Sequence, residues 1–122
     1  MRALATLLVA AFLLAGCGGA EPDHDLTLGE FSILTRTPTI AAGTTSLSIE
    51  NYGEFAHTVV ISDESGTVLA STDLIQPGDE VSLPIDLAPG RYEFTCRIVL
   101  ETDSGIIDHY QEGMHATLTV EG

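Results

Sequence analysis

Four side chains between residues 57 and 114 carry the donor atoms of a transition-metal site. They are His57, Cys96, His109 and Met114. Two imidazoles, a soft thiolate and a thioether are the ligand set of a trigonal copper site in which the methionine is a weak axial ligand. Taken singly, each has a simpler interpretation, because methionine and cysteine also serve as plain core residues. The four together, in this order along the chain, predict a site for one copper ion.

The first 16 residues are typical of an export signal. A positive residue at position 2 precedes an apolar stretch over residues 3–14, which only Thr6 interrupts. This stretch is too short for a membrane-spanning helix, which needs about 20 residues, whereas it suits the apolar region of a secretion signal. It ends in Leu14-Ala15-Gly16-Cys17, which resembles the lipobox of bacterial lipoproteins, where the cysteine is lipidated after cleavage. An ordinary signal peptide followed by a chance cysteine is the alternative.

This interpretation fixes the expected domain organisation. We expect a lipoprotein signal peptide over residues 1–16, a tether over residues 17–25 that begins at the lipidated Cys17, and one domain over residues 26–122. The chain would then be held by lipid to a membrane of the cell envelope, on its periplasmic or extracytoplasmic face. His24 lies in the tether, where we expect a solvated side chain or at most an auxiliary metal ligand.

Lipidation of Cys17 would leave Cys96 as a lone thiol in an exported, usually oxidising compartment. Such a thiol pairs with another molecule, reacts, binds a metal or is simply buried and inert. Strand alternation places Cys96 on an inward face with Tyr92 and Phe94. The same alternation turns Met114 inward and His115 outward, so the sequence favours a metal ligand at Cys96 and an exposed side chain at His115.

The composition excludes several classes of protein. The chain has 122 residues, of which 44% are hydrophobic and 18% charged, so one packed domain is expected. Asp and Glu number 18 against 4 Lys and Arg, which gives a net charge of −14. A nucleic-acid-binding surface is therefore not expected. The acidic surface favours either a partner protein with a basic docking face or plain solubility.

Alternating polar and apolar residues predict an all-β domain. The clearest alternating runs are residues 46–50, 80–87, 91–98 and 114–121. Gly- and Pro-containing turns separate them, and no stretch keeps a helical period. We expect an antiparallel β-sandwich of about seven to eight strands. The apolar positions change parity across Gly29, and we interpret this change as a β-bulge.

Several segments resemble the cupredoxins, the family of plastocyanin and azurin. The resemblance covers roughly residues 31–120. The segments that show it are Ile40-Ala41-Ala42-Gly43, Asn51-Tyr52-Gly53 through His57, Leu87-Ala88-Pro89-Gly90 leading into Tyr92-Glu93-Phe94-Thr95-Cys96, and His109-Tyr110-Gln111-Glu112-Gly113-Met114. The resemblance implies a cupredoxin-like Greek-key β-sandwich that binds one copper ion at its end and catalyses no reaction. By position, His57, Cys96 and His109 would be the strong ligands and Met114 the axial one.

The chain departs from the family pattern at two positions. Cupredoxins resembling plastocyanin usually have two to four residues between the cysteine and the second histidine, whereas twelve residues, 97–108, stand here. We expect this segment to form a hairpin that folds back so that His109 still reaches the metal, and its apolar residues favour burial or docking over a solvated loop. Thr58 follows the first histidine where many members have Asn, so the side-chain contact to the Cys96 sulfur would differ.

The resemblance implies a one-electron carrier in which copper cycles between Cu(I) and Cu(II). The expected partner is a redox protein, on which a basic docking face would complement the acidic surface. An alternative is a periplasmic copper carrier or storage protein that hands the ion to another protein. A third class is a related module that binds no metal and serves in adhesion or sensing, against which the complete set of ligands argues.

Overall fold

The computed structural model describes residues 24–122, which form two packed β-sheets and a separate hairpin. The strands are β1 (Leu26–Gly29), β2 (Ser32–Thr35), β3 (Thr39–Ala41), β4 (Gly43–Asn51), β5 (Val60–Asp63), β6 (Val68–Ser71), β7 (Glu80–Leu87), β8 (Gly90–Thr95), β9 (Val99–Thr102), β10 (Gly105–Asp108) and β11 (His115–Glu121). The expected signal peptide, Cys17 and most of the expected tether lie outside the described residues. No helix in residues 24–122 has the length and hydropathy that crossing a membrane requires.

The two sheets have the strand orders β2-β1-β4-β7 and β3-β11-β8-β5-β6. β1 runs parallel to β4 and β3 runs parallel to β11, and the other pairs are antiparallel. The expected all-β sandwich is confirmed. The described residues contain eleven strands rather than seven or eight, because segments of only three or four residues at 32–35, 39–41, 99–102 and 105–108 also pair.

The core lies between the two sheets and follows the period of two in the sequence. Every second residue of β7 from Leu83 to Leu87 is buried, as are Tyr92 and Phe94 on the opposing β8. Pro84 interrupts the donor pattern of β7, which the sheet tolerates because β7 is an edge strand. Because the inward-facing side chains fill the space between the sheets, loops form the two ends of the sandwich.

The interpretation of a bulge at Gly29 is wrong. β1 and β2 form a hairpin in which Gly29 pairs with Ser32, so Glu30 and Phe31 are the two turn residues between the strands. A two-residue turn reverses the chain, and this reversal explains why the apolar positions change parity there. Phe31 has a φ of 56°, a left-handed conformation that is uncommon for a bulky side chain.

Candidate metal centre

Three predicted ligand atoms converge at one end of the sandwich. Nδ1 of His57 lies 3.1 Å from Nδ1 of His109, and the Cys96 Sγ lies 4.0 Å from the first nitrogen and 3.5 Å from the second. With metal–nitrogen bonds of about 2.05 Å and a metal–sulfur bond of about 2.3 Å, a trigonal ion separates such ligands by about 3.6 Å and about 3.8 Å, respectively. The observed spacings therefore fit one shared first-row metal ion.

The backbone brings these ligands together from three places in the fold. His57 forms an isolated antiparallel bridge with Ile75 ahead of β5, and the two residues exchange backbone hydrogen bonds of 3.1 Å and 2.8 Å. Cys96 comes directly after β8, and its backbone N–H donates to the Met114 carbonyl at 3.1 Å. The Met114 N–H donates in turn to the His109 carbonyl at 3.0 Å. The segments that carry the ligands are therefore fixed to one another by main-chain bonds.

All four predicted ligands are shielded from solvent. His57, Cys96, His109 and Met114 are each 0% exposed. Burial lowers the pKa of His57 below its usual 6.5, the neighbouring His109 lowers it further, and Glu30 opposes the change. Burial likewise lowers the pKa of His109, against Glu30 and Asp108. Both imidazoles are thus neutral near pH 7, which is the form that binds a metal.

The outer nitrogens of both histidines are buried. The Nε2 atoms of His57 and His109 have no hydrogen-bond partner within residues 24–122. A Cβ placed on Gly53 would lie 2.9 Å from Nε2 of His57, so only glycine leaves room for this ring. Such close contacts fix the ring plane and leave Nδ1 as the nitrogen that points toward the other donors.

Asn51 organises the loop that leads from β4 to His57. Its side-chain amide donates to the carbonyls of Phe55 and Ile75 at 2.8 Å and 2.9 Å, and its Oδ1 accepts from the Gly53 N–H at 2.8 Å. The side chain is fully buried and all three of these bonds are short. Sequence analysis noted Asn51 only as part of a motif, although an asparagine two residues before glycine is a known turn signal.

Two phenylalanines, which sequence analysis did not single out for the site, lie against His109. The Phe31 ring meets the imidazole edge-on, with centroids 5.2 Å apart at an interplanar angle of 75°. The Phe55 ring lies 6.4 Å from His109 and stacks on Phe31 at 6.2 Å. Nothing local in the sequence marks these residues, because they come from different loops and meet His109 only in the fold.

Three other side chains that stand out in the sequence, those of Thr58, His115 and His24, are not among the three convergent donors. The Thr58 hydroxyl lies 3.9 Å from the Cys96 Sγ, so the residue after the first histidine does approach the sulfur. His115 is exposed, as expected, and its ring lies 5.1 Å from that of Tyr110. His24 differs from expectation, because it is largely buried between Glu50 and Glu80 rather than solvated. Neither His24 nor His115 belongs to the convergent group of donors.

The segment between Cys96 and His109 forms the expected hairpin. β9 and β10 pair only with each other, in the register Val99↔Asp108 to Thr102↔Gly105. At its base the His109 N–H donates to the Ile98 carbonyl at 3.0 Å. Val99 is 54% exposed and Ile106 is 70% exposed, so much of the apolar surface of the hairpin faces solvent.

A buried site of two histidines and one cysteine at the end of a β-sandwich defines a class of metal-binding domain, and comparison with known proteins gives the family. A family model described as a cupredoxin-like domain matches residues 4–120. The chain belongs to this family. No curated protein matches the sequence.

Solved structures with the same fold are distant in sequence. Auracyanin from Roseiflexus castenholzii aligns with a TM-score of 0.59 at 20% identity, over 80% of this chain and 94% of its own. An azurin from Methylomonas sp. strain J gives 0.57 at 18% identity, over 80% and 95% of the two chains. Rusticyanin from Thiobacillus ferrooxidans gives 0.54 at 16% identity, over 79% and 75%. At these identities the likeness establishes the cupredoxin fold.

Proposed function

We propose that the protein is a one-electron carrier that binds one copper ion through His57, Cys96 and His109, with Met114 as a weak axial ligand. The observation that carries the proposal is the convergence of one thiolate sulfur and two imidazole nitrogens in a fully buried site. Family membership supports copper as the metal. A thiolate and imidazoles with a weak thioether are the donor set of blue-copper electron-transfer sites.

The chain's own residues hold the ligands in one arrangement. Copper, when bound, supplies exchange of a single electron between Cu(I) and Cu(II). The main-chain bonds that join Cys96, His109 and Met114 limit how far these ligands move. Both imidazoles are fully buried, and the Thr58 hydroxyl approaches the sulfur. A rigid site of this kind changes little between two charge states, which favours rapid electron exchange.

Location and partner belong to the same proposal. The lipobox-like segment supports attachment of Cys17 to lipid on the periplasmic or extracytoplasmic face of a membrane in the cell envelope. The net charge of −14 favours a redox partner with a basic docking face, because opposite charges accelerate encounter. No catalytic reaction is proposed. The burial of all four ligands argues against the alternative of a carrier that hands copper to another protein, since such transfer needs ligands within reach.

A visible absorption spectrum of the Cu(II)-loaded protein tests the site. We expect an intense thiolate-to-copper band that Cys96→Ala abolishes and that Met114→Leu retains with a changed reduction potential. His115→Ala is the matched control, because this histidine is exposed and outside the convergent group. A colourless copper adduct in which Cys96 still reacts with alkylating reagents would contradict the proposal.

A further inference from the structure

We propose that Phe31 and Phe55 form a cover over His109 that the Glu30 carboxylate holds shut, and that opening of this cover limits access of metal ions, chelators and thiol reagents to the buried donors. The inference rests on the proposed function only in taking a metal as what the site holds. The two phenylalanines are called the aromatic cover below.

The aromatic cover forms a path of rings from the buried imidazole to the surface. His109 is 0% exposed, although Tyr110, which follows it, is exposed. Phe31 contacts the imidazole directly and Phe55 stacks on Phe31 with an interplanar angle of 28°. Phe55 is 41% exposed and is therefore the outer ring. The Nε2 atom of His109 is buried without a partner in the described part of the chain, and both rings of the cover lie near its imidazole.

One hydrogen bond ties the two loops that carry the rings. The Glu54 N–H donates to the Glu30 carboxylate in a short contact. Glu30 immediately precedes Phe31 in the β1–β2 turn, and Glu54 immediately precedes Phe55 in the loop after β4. Asn51 fixes the inner side of that loop through its bond to the Phe55 carbonyl. The Glu30 bond therefore holds each ring beside the other.

The turn that carries Phe31 is fitted closely to the segment between His109 and Met114. A Cβ on Gly113 would lie 3.2 Å from the Phe31 carbonyl oxygen, and Gly113 itself has a φ of +121°. Phe31 has a left-handed φ of 56°, a conformation that a bulky residue keeps only where surrounding contacts impose it. Phe31 is the second residue of the tight β1–β2 turn, which itself favours a positive φ; the imidazole edge and the Glu30 bond are the contacts outside the turn that hold the ring in place. Loss of the Glu30 bond would therefore let the turn relax and carry the ring away from His109.

Alkylation of Cys96 in the metal-free protein tests the cover without reference to copper. The test uses the full chain with the substitution Cys17→Ser, so that Cys96 is its one thiol. The rate at which iodoacetamide alkylates Cys96 is measured at fixed pH under native conditions. We expect Phe55→Ala and Phe31→Ala to raise this rate at least tenfold. Glu30→Ala should raise it with both rings present, whereas Glu30→Gln, which keeps an acceptor oxygen, should restore the slow rate.

Leu34→Ala is the matched control, because Leu34 is an apolar residue that is 64% exposed on β2 and makes no ring contact with His109. Urea unfolding of each variant separates access through the cover from general loss of stability. If Phe31→Ala does not fold, the alkylation rates of Phe55→Ala and Glu30→Ala still test the aromatic cover. Equal alkylation rates for Phe55→Ala, Glu30→Ala and Leu34→Ala would overturn the proposal.

Copper extraction provides the second measurement. From protein reduced to Cu(I) with ascorbate, the Cu(I) chelator bathocuproine disulfonate should remove copper at least tenfold faster from Phe55→Ala and Glu30→Ala than from the parent chain, while the absorption maximum of the Cu(II) form stays in place. Unchanged extraction rates would overturn the role in metal access. If the parent chain takes up no copper, the proposed function fails, and the alkylation rates still establish or refute the aromatic cover.

Discussion

Replacement of Asn51 by alanine should lower the free energy of unfolding, because it removes the hydrogen bonds that organise the loop leading to His57. The size of the loss can be worked out from those bonds. The change removes two bonds donated to the carbonyls of Phe55 and Ile75 and one accepted from the Gly53 N–H. The Ile75 carbonyl also accepts from the His57 N–H at 3.1 Å, so it stays paired. The Phe55 carbonyl and the Gly53 N–H lose their side-chain partner.

The expected loss of unfolding free energy is about 3 kcal/mol. A buried polar group without a partner costs about 1–3 kcal/mol, so two such groups cost about 2–6 kcal/mol. The Phe55 carbonyl is only partly buried, and water reaching it places the loss in the lower half of that range. For a domain of about 100 residues, this loss corresponds to a fall in Tm of more than about 10 °C.

Urea unfolding of the metal-free protein, followed by circular dichroism because the chain has no Trp, measures this loss. Ser46→Ala is the matched control on the same strand: its hydroxyl bonds that of Ser82 at 2.6 Å, but both residues are exposed. The control should change the unfolding free energy by less than about 0.5 kcal/mol. A loss below about 1 kcal/mol for Asn51→Ala, at an unchanged m-value, would refute the view that this side chain organises the loop.

Four further predictions concern the site, the hairpin and the anchor. The metal-free protein should lose stability as the pH falls from about 7 to 5, because His57 and His109 have pKa values below 6.5 in the fold and the unfolded chain takes up protons first; urea midpoints across this range check it, and a flat profile contradicts it. Gly53→Ala should weaken copper binding by about 10- to 100-fold, because the added Cβ crowds the His57 ring and overpacking costs about 1–3 kcal/mol; competition with a chelator measures the affinity. Deletion of residues 99–106 should leave a protein that still binds copper, with a visible band like that of an ordinary blue site, and complete loss of binding would show that the hairpin positions the second histidine. Cys17→Ser should release the protein from the membrane fraction or leave it as uncleaved precursor, and a correctly cleaved, membrane-bound form would contradict lipidation.

Three convergent donor side chains and the strands next to them were predictable because both depend on local patterns. The period of two places Phe94 and Cys96 on the same face, and the structure buries both. Donor chemistry alone identifies thiolate, imidazole and thioether as a set. The family resemblance added the role expected of each residue by its position in the family pattern, and the match of the family model over residues 4–120 confirms the family.

The features that sequence analysis missed depend on contacts between distant segments. A parity change at Gly29 fits a bulge or a reversal equally well, and only the pairing of Gly29 with Ser32 distinguishes them. The contact of Phe31 with His109 joins the first hairpin to the ligand-bearing segment near the other end of the chain. No local pattern encodes such a contact.

The position of His24 follows from the pairing of two acidic residues. Glu50 on β4 and Glu80 on β7 are direct register partners. Like charges opposite each other destabilise a sheet. One imidazole nitrogen of His24 makes a short contact with Glu50 and the other lies 3.4 Å from Glu80, so the histidine separates the two carboxylates. Both glutamates are visible in the sequence, but their register is not, which is why His24 was expected in solvent.

The hairpin between Cys96 and His109 shows why a long insertion is compatible with a compact ligand set. The bond from the His109 N–H to the Ile98 carbonyl closes the base of the hairpin beside both ligands. If residues 99–106 were absent, Ile98 and His109 would be the first and last residues of a four-residue β-turn, in which this same bond is the standard one. The ligand ends of the segment are therefore fixed by a contact that does not depend on the eight residues beyond it. The insertion changes the surface at the end of the sandwich where the donor atoms converge. The sandwich itself sets the spacing of those atoms.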